Sequence, residues 1–211
     1  MRTIGRTAQL GALALSFWTF SDVFEEITHP ETKPFHDGYG LLTIDNIRKP
    51  AFRAFELLSQ AGRWMLPVNN TIETENACDV WSTLSMGNAA ATTTTLNLFV
   101  SSFMPVSTNR EVHNTPSCEA QIFVTIDEET TVKSATVTRI DSSHANAFTA
   151  WKELDRPNPL SSQDKDILNS ASELLAEDAS SFFTMNSGIL TGVVKVPPFG
   201  VALVLIELAD Q

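Results

Sequence analysis

The stretch 13–20 reads as one apolar run, a pattern that suits a strand buried on both faces, as in a barrel. Acidic positions follow at Asp22, Glu25 and Glu26. A loop rich in turn formers comes next, with His29-Pro30, Pro34, and Asp37-Gly38 before Gly40. Leu41, Leu42 and Ile44 make a short apolar piece that Asp45-Asn46 ends. The spacing then predicts a helix. Pro50 stands in its first turn, where a missing N–H costs nothing. Phe52, Phe55 and Leu58 recur at helical intervals with Ala51, Ala54 and Leu57 beside them, and Gly62 is the expected stop. Residues 13–62 therefore spell strand, long loop, helix: one β/α unit.

Beyond Trp64 the period shortens to two. Strands are predicted over 79–86, 96–103, 119–126, 132–140, 192–196 and 201–208. Leu96, Leu98 and Val100 share one face of their strand, and Ile122, Val124 and Ile126 share one face of theirs. The last stretch is apolar on both faces as far as Glu207, which predicts a central position in a sheet. Six strands at short intervals suit an antiparallel sandwich. One helix interrupts them, with Ser161/Ser162 as its N-cap and Ile167, Leu168, Ala171, Leu174 and Leu175 as its apolar stripe.

Composition narrows the picture. The chain has 211 residues, 43% of them hydrophobic and 18% charged, which suits a packed core. A whole (β/α)8 barrel takes about 250 residues, so a barrel and a sandwich do not both fit. A net charge of −11 argues against nucleic acid and against anionic membrane surfaces as partners, because both need Lys and Arg to meet phosphates. The apolar stretch 10–20 follows Arg2 and Arg6 as a signal peptide would, yet no small-residue cleavage site follows it, and a buried strand is the favoured reading. Compartment, cytoplasmic or secreted, stays open. Cys78 and Cys118 allow one disulfide; two reduced thiols are favoured.

The densest candidate chemistry is Ser16-Phe17-Trp18-Thr19-Phe20-Ser21-Asp22-Val23-Phe24-Glu25-Glu26. Barrel active sites are built at the C-terminal ends of strands. An aromatic face packs on the C–H face of a pyranose, and carboxylates accept hydrogen bonds from its hydroxyls. On physics alone, a core Trp18 beside solvated acids is an equally simple arrangement and the favoured one. Other candidates are weaker. His36-Asp37 offers an oriented imidazole or merely a turn. His144 lies in an Asp-Ser-Ser-His turn, and Trp151 suits packing. Asn69-Asn70-Thr71 is a glycosylation sequon. His29 and His113 lack ligand-spaced partners, so neither a metal nor another cofactor is expected.

The segment 15–26, with Pro34-Phe35-His36-Asp37-Gly38-Tyr39-Gly40-Leu41-Leu42 and Lys49-Pro50-Ala51-Phe52, resembles glycoside hydrolase family 39, the β-xylosidase branch. Arg139-Ile140-Asp141, Asn146-Ala147, Ala150-Trp151-Lys152, the helix ending at Leu174, and Val196-Pro197-Pro198 continue the resemblance into that family's C-terminal sandwich. It implies a mainly β fold with some α: an antiparallel β-sandwich over 65–211, carrying at 1–64 the last strand–loop–helix unit of an incomplete (β/α)8 barrel. It implies a retaining exo-glycosidase acting on terminal β-xylosides, with two catalytic glutamates from barrel strands upstream of these residues. Trp18, Glu25 and Glu26 match sugar-contacting positions and are not a catalytic pair. Adjacent residues of an extended chain point to opposite sides and cannot flank one bond. The chain alone is expected to be inactive, its partners being a carbohydrate and the missing barrel portion. The alternatives are a non-catalytic carbohydrate-binding or interaction sandwich, and an iduronidase-like glycosidase fragment.

Overall fold

The fold was described from a computed structural model, which covers residues 2–12, 14–23, 32–69, 78–86, 93–102, 117–127 and 129–210. Glu25, Glu26, His29, His113 and two positions of the sequon, Asn70 and Thr71, lie outside the described residues. In chain order the elements are α1 (Arg2–Gln9), α2 (Pro50–Leu58), β1 (Trp64–Leu66), β2 (Cys78–Met86), β3 (Thr93–Ser102), β4 (Cys118–Thr125) and β5 (Thr130–Ile140). Then follow α3 (Ala147–Glu153), α4 (Ser162–Ala171), β6 (Ala176–Asp178), β7 (Phe183–Asn186), β8 (Ile189–Val196) and β9 (Val201–Asp210).

Among the described residues, two antiparallel sheets form a sandwich. One has six strands in the order β1-β2-β3-β9-β5-β6, the other three in the order β4-β8-β7. The period-two patterns explain the interior between them. Leu96, Leu98 and Val100 of β3, and Ala202, Val204, Ile206 and Leu208 of β9, meet Ala120 and Ile122 of β4 and Leu190, Val194 and Val196 of β8. Val124 and Ile126 pack against the same cluster. β9 is central, paired to β3 on one side and β5 on the other, as its two-sided apolarity requires.

The other face of the large sheet is also covered. Trp81 and Phe99 stack there with ring centroids 3.9 Å apart. Leu203 and Ile140 lie beside them, and Leu57 of α2 is inserted at 0% exposure. Gly5 of α1 sits so close to the Trp81 indole that a Cβ would collide with it. A third cluster joins Ile47 and Phe35 of the loop region to Ala147, Trp151 and Leu168 of α3 and α4. Arg53 ties α2 to the end of α4, with Nη2 donating to Ser172 Oγ at 3.1 Å.

Several expectations need correction. Residues 14–20 form no strand. A parallel strand needs neighbours, and among the described residues the segment finds only a bridge between Ser21 and Leu42. Its aromatic side chains lean on α2 instead: Phe17 on Phe55 at 5.4 Å and Phe20 on Phe52 at 6.5 Å, both edge-on. Gly62 does not stop a helix. Ser59 caps α2, and Gly62 is small because it presses on the Leu84 backbone, where its N–H donates to Thr83 Oγ1 at 2.8 Å. Cys78 and Cys118 are not free thiols. They form a disulfide across 4.9 Å between Cα atoms, and it joins β2 of one sheet to β4 of the other. Leu175 lies past α4 and is exposed, whereas the Ser161 cap is present as a reciprocal capping box with Asp164.

Candidate functional site

The site region is the end of the apolar segment and the loop that returns beside it. Two strips of backbone are laced together: Leu41 N–H donates to Thr19 O at 3.2 Å, Leu42 N–H to Phe20 O at 3.1 Å, and Asp22 N–H to Leu42 O at 2.9 Å. The peptide joining Trp18 to Thr19 is cis.

Asp22 is the pin of this lacing. Its side chain is fully buried, its Oδ1 accepts from Gly40 N–H at 2.8 Å, and its Oδ2 lies 2.5 Å from Lys49 Nζ. Lys49 Nζ also donates to Gly38 O at 3.0 Å. His36 Nε2 stands 3.7 Å from Asp22 Oδ2. A carboxylate removed from water needs such compensation: an ammonium and a backbone donor replace its hydration. Gly38 and Gly40 both abut Asp22 so closely that a Cβ on either would collide with it. Sequence reasoning grouped Asp22 with the solvated acids and did not single out Lys49. The usable signal is the pair of glycines two apart, which marks close approach of the backbone to a side chain.

The rings at this end face outward. Trp18 is 58% exposed and Tyr39 68% exposed, with centroids 6.4 Å apart and ring planes tilted by 33°. Trp18 is therefore not a core residue, contrary to the simpler of the two sequence readings. Phe20 and Val23 are exposed alongside. Of the three residues expected to contact sugar, only Trp18 is described; Glu25 and Glu26 follow it outside the described residues.

The remaining candidates resolve into structural roles. His36 faces Asp22 rather than its neighbour Asp37, which occupies a left-handed turn at φ 63°. Asp141 Oδ1 accepts from the N–H groups of Ser143 and His144, and the His144 ring Nδ1 lies 2.9 Å away. That is a turn built by an aspartate side chain. Arg139 pairs with Glu177 on the neighbouring strand. Trp151 is buried, with its indole N–H donating to Pro157 O at 3.1 Å and its ring against Phe35 and Phe148. Two carboxyls have lowered pKa values, Asp164 and Asp178, each because a serine hydroxyl and a backbone N–H bond to it.

Comparison with known proteins shows what the chain is similar to. The family model described as Glycosyl hydrolases family 39 matches residues 1–190. A β-xylosidase of Caldicellulosiruptor saccharolyticus is 30% identical over 91% of this chain, and one of Geobacillus stearothermophilus is 28% identical over 75% of it. This chain spans 36% and 27% of the lengths of those two relatives. Among solved structures, a monomeric β-xylosidase from Caulobacter crescentus CB15 aligns with a TM-score of 0.63 at 18% identity, over 92% of this chain and 37% of that one. The family 39 enzyme from Xanthomonas axonopodis pv. citri aligns with a TM-score of 0.65 at 18% identity, over 98% of this chain and 40% of its own.

Proposed function

We propose that this chain, which belongs to glycosyl hydrolase family 39, is the C-terminal portion of a retaining exo-glycosidase that removes terminal β-xylosyl groups. Residues 1–64 correspond to the last β/α unit of the family's catalytic barrel, whose strand segment makes only an isolated bridge here among the described residues, and residues 65–211 are the accessory sandwich against which it rests. The observation that carries the reading is the exposed Trp18, presented beside a backbone pinned by buried Asp22, inside the segment that the family model matches. The two β-xylosidase relatives support xylosides as the substrate class.

In a retaining mechanism one glutamate attacks the anomeric carbon, and the other protonates the leaving oxygen and then activates water. Those groups belong to the upstream strands of the family barrel. The role of the present residues is binding and orientation. The Trp18 indole packs against the C–H face of the sugar, and the Glu25 and Glu26 carboxylates accept hydrogen bonds from its hydroxyls. Holding the ring in one pose keeps the anomeric carbon in line with the nucleophile, which is where positioning lowers a barrier. Contacts without the acid and the nucleophile do not stabilise the transition state at the reacting centre.

The test is hydrolysis of an aryl β-xyloside by the purified chain, alone and mixed with a polypeptide carrying the first seven strand–helix units of a family 39 barrel. No turnover is expected from the chain alone. Turnover is expected from the mixture, lowered about 100-fold by Trp18→Ala or Glu25→Ala because the sugar is mispositioned. Hydrolysis by the chain alone, abolished by Glu25→Ala, would overturn this division of roles.

A further inference from the structure

We infer that Tyr39 is a second aromatic platform, holding the pyranose next to the one that Trp18 contacts. Four observations converge on it. Tyr39 is 68% exposed, beside the exposed Trp18 and Phe20 rather than alone on the surface. The backbone on either side of it is fixed: Gly40 N–H bonds to Asp22 Oδ1, and Gly38 O accepts from Lys49 Nζ. Both flanking glycines press on Asp22, which leaves no space inward for a side chain and turns the residue between them to the outside. Finally, the Tyr39 and Trp18 ring centroids lie 6.4 Å apart with the ring planes tilted by 33°.

The chemistry suits a carbohydrate. A tyrosine ring has an apolar face for C–H groups and a hydroxyl for a neighbouring sugar oxygen. It has only two side-chain torsions, and its backbone is anchored through a buried ion pair, so little freedom is lost on binding. Two neighbouring platforms with a modest tilt favour a ligand of two linked pyranoses over a single one. The inference rests on the glycosidase reading of Trp18 and extends it to specificity: the site prefers a β-linked xylo-oligosaccharide to free xylose.

The experiment uses the 211-residue chain labelled with ¹⁵N, titrated separately with xylose and xylobiose. The readout is the Trp18 indole N–H resonance, identified by its loss in Trp18→Phe. Xylobiose is expected to bind about three- to tenfold more tightly than xylose, the increment of one added aromatic contact. Tyr39→Ala should bring that ratio to about one, and Tyr39→Phe should keep it. Spectra of the two variants that overlay on the parent away from residue 39 show that the fold is intact. Equal binding of the two sugars by the parent, or a preference that survives Tyr39→Ala, overturns the role of Tyr39 while leaving Trp18 as a sugar contact. A Trp18 resonance that neither sugar moves overturns both readings.

Discussion

The contact between α2 and the outer face of the large sheet gives the sharpest test of the fold. Leu57 is fully buried against Trp81, Phe99 and Leu203. Leu57→Ala removes three carbons at about 0.8 kcal/mol each, or about 2.4 kcal/mol of transfer free energy. Stacked aromatic rings and β-sheet backbone collapse poorly into a gap, so the residual cavity adds about 1 kcal/mol, for a total of about 3–4 kcal/mol. With a urea slope of about 2–3 kcal/mol/M, the midpoint should fall by about 1–2 M. Unfolding is to be followed by far-ultraviolet circular dichroism and by tryptophan fluorescence, since Trp81 reports on this contact. Leu175→Ala, at an exposed position, is the control and should stay within about 0.5 kcal/mol of the parent. If Leu57→Ala behaves like Leu175→Ala, α2 is not docked on the sheet, and the helix with the loop before it is an appendage rather than part of the packed unit.

Three further outcomes follow from other contacts. Replacing both cysteines by alanine opens a loop spanning 40 residues in sequence, and loop-closure entropy sets the cost at about 4 kcal/mol, measured by urea unfolding with and without reductant; equal stability of parent and variant under non-reducing conditions would show that the bridge is not formed. Asp22→Ala strands the Lys49 ammonium beside Gly38 and should cost about 3 kcal/mol, with faster proteolysis between residues 32 and 45, whereas Asp22→Asn with Lys49→Met should recover most of the loss; a single variant as stable as the parent would refute the pin. Asp164 and Asp178 have pKa values lowered from 3.8 by serine and backbone donors, so each favours the folded state above the unfolded value, and that contribution is lost as pH falls through the lowered folded value. Stability measured from pH 5 downward should therefore decline less steeply in Ser161→Ala/Ser180→Ala than in the parent, and identical slopes would refute the linkage.

The sheets were legible in the chain because their periodicity is long. Ten-residue strands such as β3 and β9 repeat their pattern often enough to identify both the faces and the central position of β9. β1 and β6, with three residues each, and β7, with four, are too short to show a period. α1 lacks an apolar stripe and gains its place from Gly5 lying on Trp81, a contact between distant residues. α3 was missed although Asn146 caps it by accepting from Thr149 N–H, because the helix has only seven residues. The 13–20 run misled for a different reason. Its apolarity matches an environment of neighbouring strands, and without them the rings turn to α2 and to the surface. The disulfide depends on two sheet ends meeting, which no local pattern encodes. At the site, Trp18 was visible as chemistry, but Asp22 was indistinguishable in sequence from the acids around it until the glycines of the opposite strip closed over it.

The position of β9 also bears on the order in which the molecule is made. It leaves the ribosome after the other described strands of the larger sheet and lies in the middle of that sheet, between β3 and β5. Until residues 201–210 emerge, β2 and β3 on one side and β5 on the other exist as separate pieces, each with an unpaired edge. Earlier strands of that sheet cannot close it among themselves, so the nascent chain must keep those edges apart until β9 has been made. A premature stop anywhere before Val201 would thus not trim the protein at its margin. It would remove the seam, and leave the cell with two half-sheets able to pair with any other strand they meet.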